Sequence, residues 1–343
     1  MGNISPQKTW GDNAFLEQPM SFDGDKLTCY EPDYTQFVDP KQLRRMSRII
    51  KMGVAAGSMA LKNAGITVPN GIITGTAYGC LEDTGTFLNK MIESNEHALN
   101  PTPFIQSTHN TIGSQIALLL QCQGYNQTYT QGAFSFEGAL IDALLELKDS
   151  PAQTLLVGGV DEITHVSHAI QKRFGIFRAQ GNNLDLFPSS SKGTMNGEGA
   201  AYFVLTGEKS PDDHVRIDGL KTLYNPGGNL QKEIISFLEQ ASLKSSDIDL
   251  ILTGKNGDVS SDLVIDEITN SMFASSAVGV FKHLCGEYPT ASAFALWLAI
   301  KSIQQNFIPD TVVFKKGDRP VKRVLIYNPY FEKYHSLILV QAC

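Results

Sequence analysis

The sequence predicts an α/β protein, with sheets covered by helices and the same build used twice. Short apolar runs of strand length alternate with amphipathic stretches of helical period, the signature of strand–helix–strand units and a largely parallel sheet. The alternation halts in a turn region over 207–213 and then starts again. No clear linker separates the two stretches, so 1–206 and 207–343 are expected to be halves of one compact unit.

Taken in order, Arg44-Arg45-Met46-Ser47-Arg48 opens an alanine-rich helix that ends at Asn63-Ala64-Gly65-Ile66. Ile72 to Thr74 is a short strand followed by a small-residue turn reaching Gly79. Ile112 to Gln121 is a helix carrying a run of leucines. The segment Thr128 to Ala139 reads as a strand running through a tight turn into a helix, which continues over Gly138 to Leu147. Thr154 to Gly158 is a buried strand, and Tyr202 to Thr206 closes the first half. In the second half His214 to Leu220 is a strand, Leu230 to Ala241 a helix and Ile248 to Thr253 a strand. Ala291 to Asn306 has a strongly amphipathic helical pattern, and Arg323 to Tyr327 and Ser336 to Gln341 are terminal strands.

Composition narrows the function classes. A chain of 343 residues, 42% hydrophobic and 18% charged, has ample length for a large core. Its net charge of −7 leaves no electrostatic footprint for nucleic acid, although surface lysines and arginines can still meet an acidic partner. Cysteines 29, 80, 122, 285 and 343 show no CxxC or metal-ligand spacing, so no metal or cofactor is expected. With no secretory leader they read as reduced thiols, and a cytoplasmic location is expected. The apolar runs are too short or too interrupted to span a bilayer.

Several segments carry a family resemblance. Arg44-Arg45-Met46-Ser47 is similar to an Arg-Met-Ser/Asp helix start, and Gly71 to Gly79 to a Gly-Val-Gly-Thr-Gly-x-Gly strand and turn. Leu155 to Glu162 is similar to an Ala-Gly-Gly-x-Glu strand end, Asn196 to Ala201 to Gly-Glu-Gly-Ala, and His283-Leu284-Cys285-Gly286 to Gly-His-Leu-x-Gly. In this order, with Thr128 to Ala139 among them, they resemble the β-ketoacyl synthases. The resemblance implies a thiolase-like fold: two similar βαβαβαββ halves forming a layered α/β sandwich.

It also implies a chemistry. The family's cysteine thiolate is favoured by a helix N-terminus. Two further groups, usually histidines, stabilise the thioester oxyanion and the enolate left when malonyl loses carbon dioxide. By the resemblance, Ala133 stands at the nucleophile position. Cys122, the nearest cysteine in sequence, reads as structural. Thr253 falls on the first histidine, and Val278 on the supporting lysine five residues before the second, leaving His283 as the one retained element. A threonine hydroxyl donates a hydrogen bond but carries no positive charge. Lys282, directly before His283, is off that spacing.

Asn328 to Tyr334 replaces a glycine-rich gate loop, and bulky residues such as Phe331 are expected to narrow a pocket. His283 is either a residual donor or, as preferred, a histidine held in an inherited loop. His109 is expected at a subunit interface, His165 and His168 in a loop, and Glu198 in a turn that it fixes through backbone hydrogen bonds. Glu137, costly to bury unpaired, is expected to bridge to a basic residue across a dimer. Phe134, Ser135 and Phe136 are pocket candidates, the two phenylalanines reading equally as core.

A ketosynthase-like chain without its cysteine resembles the chain-length factors of type II polyketide systems, most closely those of aryl-polyene and flexirubin-type clusters. That implies a homodimer or a heterodimer with a catalytic ketosynthase, and acyl carrier protein as a partner. An active 3-oxoacyl-[acyl-carrier-protein] synthase and a malonyl-carrier-protein decarboxylase, to which Gln131 is pertinent, remain alternatives.

Overall fold

The computed structural model describes residues 1–11, 15–187, 191–211 and 213–343. Its first sheet comprises β1 (Gly2–Ile4), β2 (Gly71–Gly75), β3 (Tyr125–Tyr129), β4 (Thr154–Asp161) and β5 (Gly199–Thr206), in the order β1-β5-β4-β2-β3. The helices of this half are α1 (Pro40–Leu43), α2 (Arg48–Ala64), α3 (Leu81–Glu93), α4 (Pro101–Gln106), α5 (Thr111–Leu120), α6 (Ser135–Asp149) and α7 (His165–Arg173). The second sheet comprises β6 (Val215–Tyr224), β7 (Leu250–Thr253), β8 (Ala277–Val280), β9 (Val313–Lys315), β10 (Arg323–Tyr330) and β11 (Tyr334–Ala342), ordered β6-β11-β10-β7-β8-β9. With it come α8 (Leu230–Gln240), α9 (Val259–Met272), α10 (Lys282–Cys285) and α11 (Ala291–Gln305).

Without β9, the second sheet repeats the first. β3, β2 and β4 are parallel, as are β8, β7 and β10. The next two strands, β5 and β1 or β11 and β6, are successively antiparallel. Parallel neighbours require crossovers, and helices supply them on both faces. Asp212, inside the expected 207–213 turn, lies outside the described residues.

Helices α6 and α11 form the middle layer. The first packs on β2, β3 and β4 and reaches β6; the second packs on β10 and β11 and reaches β4 and β5. One apolar cluster runs through both sheets, from Ile73, Phe136 and Leu155 to Phe294, Val324 and Ile338. The outer layers are α2 with α5 on the first sheet, and α8 with α9 on the second.

Two elements depart from expectation. The strongly amphipathic pattern of Ala291 to Asn306 does not describe α11, eleven of whose fifteen residues are buried. A helix covered by a sheet on each side has no solvent face to keep polar, and each buried Leu or Phe there contributes about 1.5–3 kcal/mol. The first long helix starts at Arg48, because Ser47 is extended (φ −67°, ψ 168°), while Arg44 and Arg45 belong to the preceding turn. Among the described residues no helix is long and apolar enough to cross a membrane.

Candidate functional site

In the first half β3 leaves its sheet through Gly132, whose φ of 60° turns the chain into α6. Glycine accepts that conformation without a Cβ penalty. Ala133 follows, buried, and Ser135 turns its hydroxyl back to donate to the Gly132 carbonyl (2.7 Å). The chain passes here from strand through a single 3-10 turn into α6, with the Ala133 methyl buried in that turn. Cys122 lies in the turn before β3, its thiol directed at the Pro69 carbonyl (3.3 Å).

The expected pocket residues separate. Phe136 is core, its ring 6.0 Å from that of Phe203, and Ser135 is buried, so neither lines an open pocket. Phe134 meets Tyr334 edge-on, centroids 5.2 Å apart. Glu137 has no exposure, which rules out the expected bridge across a dimer. Its carboxyl lies among the Ser292 and Ser336 hydroxyls without a well-formed hydrogen bond. Burial pushes it up to about 7 from an ordinary 4.5, those hydroxyls pulling the other way.

The sign of its effect on stability follows. Between pH 4.5 and about 7 the folded chain holds a proton that the unfolded chain has released, so Glu137 makes stability fall as pH rises. The size is on the order of 3 kcal/mol. Glu137→Gln should lack this component: urea unfolding at pH 5 and pH 8 should show wild type losing more stability than the variant. Equal losses would mean that the carboxyl is not held neutral.

In the second half Thr253 donates its hydroxyl to the Gly279 carbonyl (3.1 Å), spending it on the β7–β8 pairing. Val278 lies in the apolar cluster of Ile251, Ile265 and Leu325, so a lysine there would enter a core rather than a site. Beyond β8 the two basic residues of α10 take different surroundings. His283 meets the Thr311 carbonyl through Nε2 (2.7 Å) and packs edge-on against Phe187. Burial pushes its pKa down to about 4, and Nδ1 has no partner. A neutral ring whose Nε2–H is already used offers no positive charge to an oxyanion. Of the two readings of His283, this geometry favours the preferred one, a histidine held in its loop, over the residual donor.

Lys282 takes the inward position. Its Nζ donates to both Glu287 carboxylate oxygens (2.7 and 2.8 Å) and to the Pro329 carbonyl (2.8 Å), with both side chains buried. Gly254 makes room: a Cβ there would stand 3.1 Å from Lys282 Cε and 2.5 Å from Asn328 Oδ1. Asn256 Nδ2 donates to Glu287 (2.8 Å), completing the set. Burial pushes the Glu287 carboxyl up, with Lys282 pulling against it.

Beside the pair lies a cavity of about 10 Å³, bounded by Tyr78, Asp161, Glu162, Asn196, Glu287 and Tyr330. That is room for about one water molecule. Asp161 gathers the surrounding elements, accepting from Thr76 Oγ1 (3.1 Å), the Ala77 and Tyr78 amides (2.9 and 3.2 Å) and Thr290 Oγ1 (2.9 Å). Tyr330, on β10, is in hydrogen-bonding contact with Tyr78, to which Gln171 also donates (3.1 Å). Phe331 instead sits at the hairpin tip, 38% exposed, with Glu332 beside it; both are left-handed (φ 48° and 55°). The expected narrowing aromatic is thus Tyr330.

His109 is exposed between α4 and α5, its ring against Gly79. His165 and His168 belong to helix α7 rather than a loop, and His168 bonds to Asn196 (2.9 Å) and Asp25 (3.2 Å). Glu198 does accept backbone amides, but from Cys29 and Ile163 (2.7 and 2.8 Å), so it ties distant segments together rather than fixing its own turn.

The profile described as "Beta-ketoacyl synthase, N-terminal domain" matches residues 6–210. The chain belongs to the β-ketoacyl synthase family. It is 22% identical over 318 residues to Nodulation protein E of Rhizobium meliloti (strain 1021), covering 84% of this chain and 76% of that protein. Its fold is that of solved ketosynthases. The ishigamide ketosynthase/chain length factor superposes with a TM-score of 0.74 at 18% identity, covering 93% of this chain and 88% of that one. A ketosynthase in complex with its chain length factor from Xenorhabdus doucetiae gives 0.75 at 15%, covering 95% and 90%. For this β-ketoacyl synthase relative, sequence reading missed Lys282, Glu287, Asp161 and Tyr330 as the centre of the site. The signal for the first two was present: they stand five residues apart, as do Val278 and His283.

Proposed function

We propose that this chain is the non-condensing partner of a catalytic ketosynthase, of chain-length-factor type, in acyl-carrier-protein-dependent fatty-acid or polyketide assembly of the type II, aryl-polyene-like kind. The Lys282–Glu287 pair carries the reading. Counted from the inward lysine, the family's spacing of five reaches Glu287, so a carboxylate stands where a histidine is expected. Condensation requires donors aimed at developing negative charge. Glu287 instead occupies the lysine and adds negative charge of its own. With Ala133 at the nucleophile position and the Thr253 hydroxyl spent on strand pairing, the chain lacks both attacking group and charge stabiliser. The cavity beside this pair has room for about one water molecule, which supports the reading that no acyl chain is seated against Glu287.

The partner half of the reading is supported by the first half's surface. Helices α3 and α4 contain no buried residue and expose Leu88, Ile92, Phe104 and Ile105. Strand β3 is the sheet's edge, with unpaired backbone groups along one side. Obligate interfaces are large and apolar. The solved neighbours named above include ketosynthases described with chain length factors.

The test is intact-mass spectrometry after incubation with acyl- and malonyl-carrier protein, for the chain alone and co-expressed with a ketosynthase of the same genome. No adduct on this chain is expected, with acylation of a co-purified ketosynthase. A stable acyl adduct on this chain would return it to the active synthases. Release of carbon dioxide from malonyl-carrier protein by the chain alone would make it a decarboxylase.

A further inference from the structure

Helix α7 is seated with its polar side towards the protein. Asn196 Nδ2 donates to His168 (2.9 Å), whose ring stacks on Phe177; Gln171 donates to the Tyr78 hydroxyl (3.1 Å) and Lys172 to Asp25 (2.5 Å). No residue of the helix is buried, and its apolar row faces solvent. Val166, Ile170 and Phe174, each four residues after the last, are 59%, 50% and 78% exposed. A surface helix ordinarily turns such a row inward. So short a helix without buried side chains is marginal by itself, and an exposed apolar row marks an interaction surface.

Charge is divided along this row. The tail carries Lys172 and Arg173, and Arg173 is exposed and in no ion pair among the described residues. At the head, Glu82 and Asp83 of α3 act on the Glu162 carboxyl, just before the Thr164 cap. The guanidinium facing them, Arg48, is taken by Glu198 through Nη1 and Nη2 (2.6 and 2.5 Å) and by Glu31 through Nε (2.5 Å). The exposed Glu82 is therefore left uncompensated. A basic tail and an acidic head are complementary to the same strip lying the other way.

We propose that α7 pairs with α7 of a second copy of this chain, antiparallel about a two-fold axis at Ile170. The interface is then isologous. Ile170 meets its own copy, Val166 lies opposite the partner's Phe174, and Arg173 reaches the partner's acidic head. A smaller residue facing a larger one lets the two rows interdigitate. The contact is distinct from the α3–α4 face assigned above to a ketosynthase, because Leu88 and Ile92 lie on later turns of α3. It goes beyond that reading: the full assembly holds two copies of this chain, each with its own ketosynthase. One helix from each side makes a small interface, so the pairing is weak. Ser167 and Gln171, on the inward side, line the cavity beside Glu287, so pairing steadies one wall of the site.

Sedimentation over a range of concentrations, for the chain alone and with a ketosynthase of the same genome, tests the pairing. A reversible monomer–dimer equilibrium is expected for the chain alone, and two copies of each subunit in the complex at high concentration. Ile170→Arg, which sets two arginines face to face on the axis, should weaken self-association on the order of tenfold or more and leave one copy of each subunit. Ile235→Arg, at a similarly exposed position on α8 (47%), should change neither. Arg173→Glu and Glu82→Lys should each weaken the dimer about threefold, and together they should recover it. Amide exchange over 165–173 should slow with rising concentration in wild type and not in Ile170→Arg. A wild type that stays monomeric at every concentration, or a dimer indifferent to Ile170→Arg, would overturn the proposal. Loss of ketosynthase binding in Ile170→Arg, with self-association intact, would hand the row to the ketosynthase instead. Self-association through α7 without any ketosynthase complex would uphold the pairing and remove the partner reading.

Discussion

Lys282→Met is expected to destabilise the chain by about 3–5 kcal/mol, the cost of breaking a fully buried ion pair from one side. Glu287 would then face the interior with only the Asn256 amide as donor, and the Pro329 carbonyl would lose its partner. The variant's deficit should shrink as pH is lowered towards 5. An unpaired Glu287 takes up a proton more readily than the unfolded chain does, and that uptake favours the fold at low pH. Adding Glu287→Gln should restore much of the loss, since a glutamine oxygen still accepts from Asn256 and no charge remains to be buried. Coupling of about 2 kcal/mol or more between the two positions is expected in urea denaturation. Additive single-mutant effects would mean that the pair does not interact as its geometry indicates.

Arg48→Ala should cost about 3 kcal/mol, the lower end of the same range. Glu198 is fully buried and keeps two backbone amides, while Arg48 is partly exposed, so some water can follow the deletion. The loss reaches far along the chain, because this carboxylate ties the segment at Cys29, Ile163 just beyond β4 and the start of α2 to the head of β5. Amide exchange should quicken at Cys29 and Ile163 together in the variant. Faster exchange confined to α2 would mean that Glu198 does not couple these elements.

The repeated alternation of strand and helix was legible because short, continuously apolar runs such as Leu155–Val157 and Leu250–Leu252 are of strand length, rich in β-formers and set between helical patterns. Family resemblance added what periodicity leaves open, the pairing of the halves around a helical layer. Strands β1 and β9, three residues each, are too short to show a period. Helix α11 misled because its serines and lysine suggest a wet face, while Ser292 and Ser302 are buried. The site was harder to read than the fold. Whether Lys282 or His283 points inward depends on the geometry at the end of β8, and the approach of Gly254 that makes room for a lysine is a long-range contact. Glu137 was correctly singled out as expensive to bury, but a fully enclosed position within one chain is set by α11, which arrives some 150 residues later.

That late arrival has a consequence for synthesis. The first sheet is complete once β5 has been made, yet the inner face of α6 meets only β6 until α11, with β10 close behind it, leaves the ribosome. At about 5–20 residues per second, on the order of ten seconds separate the two events. During that interval a nascent chain presents Phe136, Leu140 and Ala143 to chaperones and to neighbouring nascent chains. A nonsense fragment ending near residue 206 is thus expected to be captured or degraded rather than to persist as a free half, and the C-terminal half governs how much of the protein survives its own translation.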